Sequence, residues 1–155
     1  MKLSLVALVS ICTMFSSCTS TEIQKEEETV STLDSVETEL YELVNIFRAE
    51  NGLEVFVYNN SAQTYAREHN AYMISRNAIS HDNFVMRSSD LSVKLNAVKV
   101  SENVGRYYNT AEEVFEAWTN SEKHVKNILG DYRETAISVS EDDNGGLYFT
   151  QIFIK

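Results

Sequence analysis

The chain has 155 residues, enough for one ordinary domain and too few for two. Apolar residues make up 43% and charged residues 23%, the balance of a globular protein. A formal net charge of −10 argues against nucleic acid as a partner and disfavours adsorption onto anionic lipid headgroups, because both need a basic surface.

The chain opens with Met1-Lys2, then a largely apolar run from Leu3 to Phe15, then Ser16-Ser17-Cys18. A short basic start, a short apolar stretch and small residues before a boundary predict a secretory signal over 1–17, too short to span a bilayer. Phe15-Ser16-Ser17-Cys18 resembles a bacterial lipobox, with Phe15 where an aliphatic residue is usual. The resemblance implies that Cys18 is acylated and becomes the N-terminus of an envelope lipoprotein, exported and held in a membrane, the outer membrane above all. Both cysteines, Cys12 and Cys18, lie in this leader, so disulfides and thiolate metal sites are excluded from the rest.

Residues 18–32 carry Lys25-Glu26-Glu27-Glu28 and few apolar positions, which predicts a solvated acidic tether. A lysine followed by acidic residues also resembles a surface-export signal of some Gram-negative lipoproteins. The folded domain is expected over 33–155. Leu33, Val36, Leu40, Leu43, Val44 and Phe47 recur at helical spacing, and Asn51-Gly52 ends that helix.

A short extended piece, Glu54 to Tyr58, precedes a second helix with Ala62, Tyr65, Ala66, His69 and Met73 on its buried stripe and Asn60 or Ser61 as cap. Leu91, Leu95 and Val98 predict a third helix. Thr110 with Glu113 reads as a capping box before Val114, Phe115, Ala117 and Trp118, and Ser121 is placed to cap one more short helix. The chain has no proline, so its turns must use Gly, Asn, Asp and Ser. Near the C-terminus the period changes to alternation on both sides of Asp142-Asp143-Asn144-Gly145-Gly146, which predicts a β-hairpin. Helices first and an antiparallel sheet closed late make an α+β layered domain.

Three histidines are available for chemistry. His69 sits on an apolar helix stripe and reads as a packed core residue. His81 lies in a polar loop, Ser80 to Asn83, and His124 in the first turn of a short helix two residues after Glu122. No spacing matches a metal signature. Either His81, the strand-borne Glu102 and the Glu122/His124 pair converge through the fold, or they are unrelated surface groups. Two imidazoles with one or two carboxylates suit a divalent cation such as zinc.

Six segments, in order, resemble the CAP superfamily. Asn45, Arg48, Gly52 and Leu53 are similar to its opening helix, and Ala66, His69, Asn70 and Met73 to its second. Ser80-His81 matches its loop histidine, and Ser101-Glu102-Asn103-Val104-Gly105 is similar to its Gly-Glu-Asn-Val/Ile-Gly segment. Trp118, Ser121, His124, Asn127, Ile128 and Leu129 resemble the bacterial Trp-x-x-Ser-x-x-His-x-x-Asn-Ile-Leu motif, and Tyr148, Thr150, Gln151 and Phe153 its last strand. The resemblance implies a three-layer α-β-α sandwich with a central antiparallel sheet. It also implies a cleft in which His81, Glu102, His124 and Glu122 hold a divalent cation, zinc foremost. Ser101 and Ala136-Ile137-Ser138 depart from glycine-containing family segments.

The expected function is a non-enzymatic envelope module whose cleft binds a small-molecule, lipid or peptide ligand. A metal- or His/Glu-dependent hydrolase of peptides or envelope polymers is the alternative. A serine triad through Ser80 or Ser121 is weaker, since neither lies in a nucleophile-elbow sequence.

Overall fold

The computed structural model describes residues 20–155. Cys18 and the leader lie outside the described residues. In chain order the elements are α1 (Ser20–Glu50), β1 (Val57–Tyr58), α2 (Asn60–Ser75), α3 (Phe84–Leu95), β2 (Val100–Arg106), α4 (Ala111–Thr119), α5 (Glu122–Ile128), β3 (Glu134–Glu141) and β4 (Leu147–Ile154).

The strands form one sheet in the order β1-β3-β4-β2. β4 pairs antiparallel with β3, the hairpin that the alternating sequence predicts, and antiparallel with β2 on its other side. β1 adds a two-residue parallel edge at Val57↔Glu134 and Tyr58↔Thr135, so the expected antiparallel sheet of β3, β4 and β2 gains a parallel strand at one edge. Side chains of β4 alternate between two buried faces. Phe149 and Phe153 join Leu40, Val44, Val114, Trp118 and Ile128 beneath α1, α4 and α5. Ile152 and Ile154 join Ala62, Ala66 and Leu91 beneath α2 and α3. Helices therefore cover both faces, and the three-layer α-β-α sandwich is the observed architecture.

Capping chemistry sets the helix starts. The Thr110 hydroxyl accepts from the Glu113 N–H at 3.2 Å, while the Glu113 carboxylate takes the Asn109 N–H at 2.6 Å, one residue outside the expected box. The cap of α2 is Asn59, not Asn60 or Ser61: its backbone is extended and its side chain accepts from the Ala62 N–H. Ser121 takes the cap position of α5 with no side-chain hydrogen bond. Val98 lies beyond α3 and is exposed, because Asn96 ends that helix in a left-handed conformation. The helix α1 begins at Ser20, within the segment expected to be a tether.

Arg48 and Asn45, two residues of the family-like opening helix, fasten α1 to the loops. The Arg48 guanidinium donates to the carbonyls of Glu54, Ile128, Gly130 and Tyr132, and the Asn45 carbonyl accepts from the Phe56 N–H at 2.7 Å. Arg48 also lies over the Phe56 ring, 3.7 Å from its centre.

Candidate functional site

The site grows from one edge strand. Pairing of Glu102 with Ile152, and of Val104 with Thr150, places these two β2 residues on the α2–α3 side of the sheet. Asn103 and Gly105 consequently face α4 and α5. An added Cβ at Gly105 would lie 2.7 Å from the Val114 side chain, so the glycine is what lets α4 press against the strand. Trp118 donates its ring N–H to the Val104 carbonyl at 3.1 Å. Asn127 donates to the Glu102 carbonyl at 3.1 Å and to the Asn103 side chain at 2.8 Å, and Asn103 donates to the His124 carbonyl at 3.3 Å. The tryptophan and asparagine of the segment 118–129 are thus struts that dock α4–α5 onto β2 and fix where His124 stands.

His81 arrives from the opposite layer. Its loop leaves α2 through Asn77 and enters α3 through Asn83, both with positive φ, at 47° and 60°. Asparagine tolerates this conformation better than other side-chain-bearing residues. Both histidines line one cleft of about 450 Å³, together with Ile79, Ser80, Gly105, Trp118 and Ser121.

Glu102 is the buried hub behind that cleft. Its carboxylate accepts from His81 Nδ1 at 2.9 Å and is clamped by Arg87, whose Nε and Nη2 lie 2.9 and 2.7 Å from Oε2. Arg87 Nη2 also reaches Oε1 at 2.9 Å. With the Nδ1 hydrogen of His81 committed to Glu102, the neutral ring presents Nε2 as the free lone pair. His124 Nδ1 is shut off from solvent without a hydrogen-bond partner, so its other nitrogen is the one that can serve the cleft. Burial, reinforced by His81 and Lys123, holds His124 below the usual imidazole range and so favours the neutral ligating form.

His69 is buried as the sequence predicts, yet it also belongs to this network. Its Nε2 is 2.8 Å from the Ser80 carbonyl and 3.5 Å from Glu102 Oε1. Burial pushes its pKa down, against the opposing pull of Glu102. Arg87 was not singled out from the sequence at all. It lies one turn into α3, fifteen residues before Glu102.

The expected four-ligand metal set is not assembled. Glu122 is exposed at the start of α5 and does not line the cleft. Both oxygens of Glu102 are already engaged, and among the described residues no three His, Cys, Asp or Glu side chains group to hold a metal. Of the expected set, the cleft is lined by the two imidazoles, His81 and His124.

This fold, with a histidine from each helical layer lining one cleft beside a Glu-Asn-Val-Gly edge strand, defines the class of protein. The chain belongs to the CAP family, the cysteine-rich secretory protein family, whose model matches residues 41–153. It is 31% identical over 131 residues to the uncharacterised protein YkwD of Bacillus subtilis, covering 80% of this chain and 49% of that protein. The chain therefore spans about half the length of the curated relative it matches. Among solved structures it is similar to an extracellular SCP-domain protein from Bacillus anthracis, at TM-score 0.69 and 23% identity, covering 79% of this chain and 41% of the other. An outer surface protein from Borrelia burgdorferi matches at TM-score 0.69 and 17% identity, covering 76% and 90%. These last two likenesses concern the fold.

Proposed function

We propose that the protein is an exported, lipid-anchored envelope protein whose CAP domain binds ligands without transforming them. Its cleft holds a divalent cation, zinc above all, between His81 and His124, and a small-molecule, lipid or peptide ligand against the Trp118 side. The observation that carries the reading is the pair of imidazoles from opposite layers in one cleft, one of them oriented by the buried Glu102. Glu102 serves this site by orienting His81 from behind and not as a ligand, and Glu122 has no part in it. Export and anchoring rest on the leader and Cys18, and export is further supported by structural neighbours described as extracellular or outer-surface proteins.

Calorimetric titration with zinc tests the reading. Wild type should bind one ion with modest affinity, because two protein ligands make an open site. His81→Ala and His124→Ala should each abolish binding and keep a cooperative melt. Binding should weaken at acid pH, where a protonated imidazole ceases to ligate; burial holds His124 low, so its contribution is lost only below the usual imidazole range. Zinc binding by either alanine variant at wild-type affinity would defeat the shared site.

The hydrolase reading draws on the same geometry, since a histidine backed by a carboxylate is the arrangement of a general base. Turnover of peptide or envelope-polymer substrates by wild type, lost in His81→Ala, would replace binding with catalysis.

A further inference from the structure

A second pocket, of about 390 Å³, lies between α1 and α2 at the other edge of the sheet. It exists because β1 is so short. β1 pairs with β3 only at Glu134 and Thr135, which leaves the rest of the β3 edge without a strand neighbour. Side chains take over there. The Tyr58 hydroxyl donates to the Ile137 carbonyl at 2.8 Å, and Glu37 Oε1 accepts the Val139 N–H at 2.8 Å. Glu37 is thus a fixed carboxylate, 8% exposed, with its other oxygen taking the Gln63 amide at 2.7 Å.

The pocket's hydrogen-bonding character follows from which donors are already committed. Tyr41 gives its hydroxyl hydrogen to the Phe56 carbonyl, Tyr58 to Ile137, and Thr38 to the Asp34 carbonyl. Asp34 and Glu37 have no hydrogen to give when ionised. Among the lining groups only the Asn60 and Gln63 amides retain an N–H, and each also carries an acceptor oxygen. The Tyr41 and Tyr58 rings meet edge to face, 5.3 Å apart at 89°, forming an aromatic corner.

Buried carboxylates are ordinarily matched by a cation. Glu37 is such a carboxylate: among the described residues it has no ion-pair partner, and Arg67 acts on it only from a distance, while Asp34 beside it is exposed. Burial raises the Glu37 pKa, against the lowering pull of the Val139 N–H and of Arg67. An acceptor-rich pocket with two carboxylates and two perpendicular ring faces complements a cation that donates hydrogen bonds.

We propose that this pocket is a second ligand site, independent of the cleft, and that it takes an alkylammonium head. The ammonium sits against Glu37 and Asp34, and its methylene stem runs along the Tyr41–Tyr58 corner. Either a free amine or a lysine side chain carries that chemistry.

Calorimetry on the full chain in detergent, at neutral pH and low salt, with cadaverine and with the peptide acetyl-Gly-Lys-Gly-amide, tests the proposal. Cadaverine should bind saturably at one site and weaken with added salt. Glu37→Gln, which keeps an acceptor for Val139, and Asp34→Asn, on the exposed side of α1, should each weaken it about tenfold, roughly one charge-assisted contact. Asp34→Asn decides the matter if Glu37→Gln fails to fold. Binding of the peptide as well, lost when its lysine is acetylated, assigns the site to lysine side chains, while binding of cadaverine alone assigns it to free amines. No saturable binding by wild type, equal binding by Asp34→Asn, or equal binding of tetramethylammonium, which has no N–H, would overturn the proposal.

Discussion

Glu102 shows how much one buried residue can organise. Its side chain is 2% exposed, and it meets Arg87 from α3, His81 from a loop and, at 3.5 Å, His69 from α2. Removing Arg87 strands a carboxylate away from water, which typically costs about 3–5 kcal/mol when one partner of a buried pair is lost. Arg87→Met should therefore destabilise strongly in urea unfolding. Glu102→Gln in the same chain should recover part of that loss, a coupling that a double-mutant cycle reads directly. Additive losses would show that Arg87 packs without pairing. Neither Arg87 nor the place of His69 in this network was legible in the sequence. No periodic rule links a helix residue to a strand residue fifteen positions later, and an apolar stripe explains His69 without any partner. His81, Glu102 and His124 were legible because each lies in a segment similar to a family motif. Glu122 was carried over on the same ground, and the helix start leaves it in solvent.

At the scale of elements, the patterned pieces were read well and the irregular ones less so. Helix α4 and the β3–β4 hairpin follow from a capping threonine and from strict alternation around Gly145, whose φ of 82° suits glycine. The two-residue β1 was foreseen as an extended stretch but not as a parallel edge, since only the folded sheet decides which strand it meets. The α2 cap was misplaced by one residue because Asn59, Asn60 and Ser61 are all competent caps and backbone geometry chooses among them. The contact that joins β2 to α4 supplies this scale's prediction. Gly105→Ala puts a methyl against Val114, and overpacking of that kind costs about 1–3 kcal/mol. Thermal unfolding should show the loss, and Val114→Ala should rescue it by clearing the space. An unchanged melting temperature would mean that α4 yields freely, and with it the wall that carries Trp118.

At the scale of the whole molecule, a net charge of −10 disfavours adsorption onto anionic headgroups, so the proposed anchoring rests on lipid at Cys18. Cys18→Ser, expressed in a bacterium that processes lipoproteins, should leave the membrane fraction, and wild type should show acyl mass on its N-terminal peptide. Retention of the serine variant in membranes would assign attachment to something other than Cys18. The two proposed sites lie at the two edges of the sheet, one built from histidines and one from carboxylates. The central claim concerns the first: two imidazoles from opposite helical layers act as one site. Its most direct test is nitrogen-15 NMR of the histidine rings during a zinc titration. His81 should start with its hydrogen on Nδ1, as the Glu102 bond requires, and the Nε2 signals of His81 and His124 should move together and saturate at one equivalent while His69 stays fixed. Movement of only one of the two rings, or saturation at separate stoichiometries, would contradict the account.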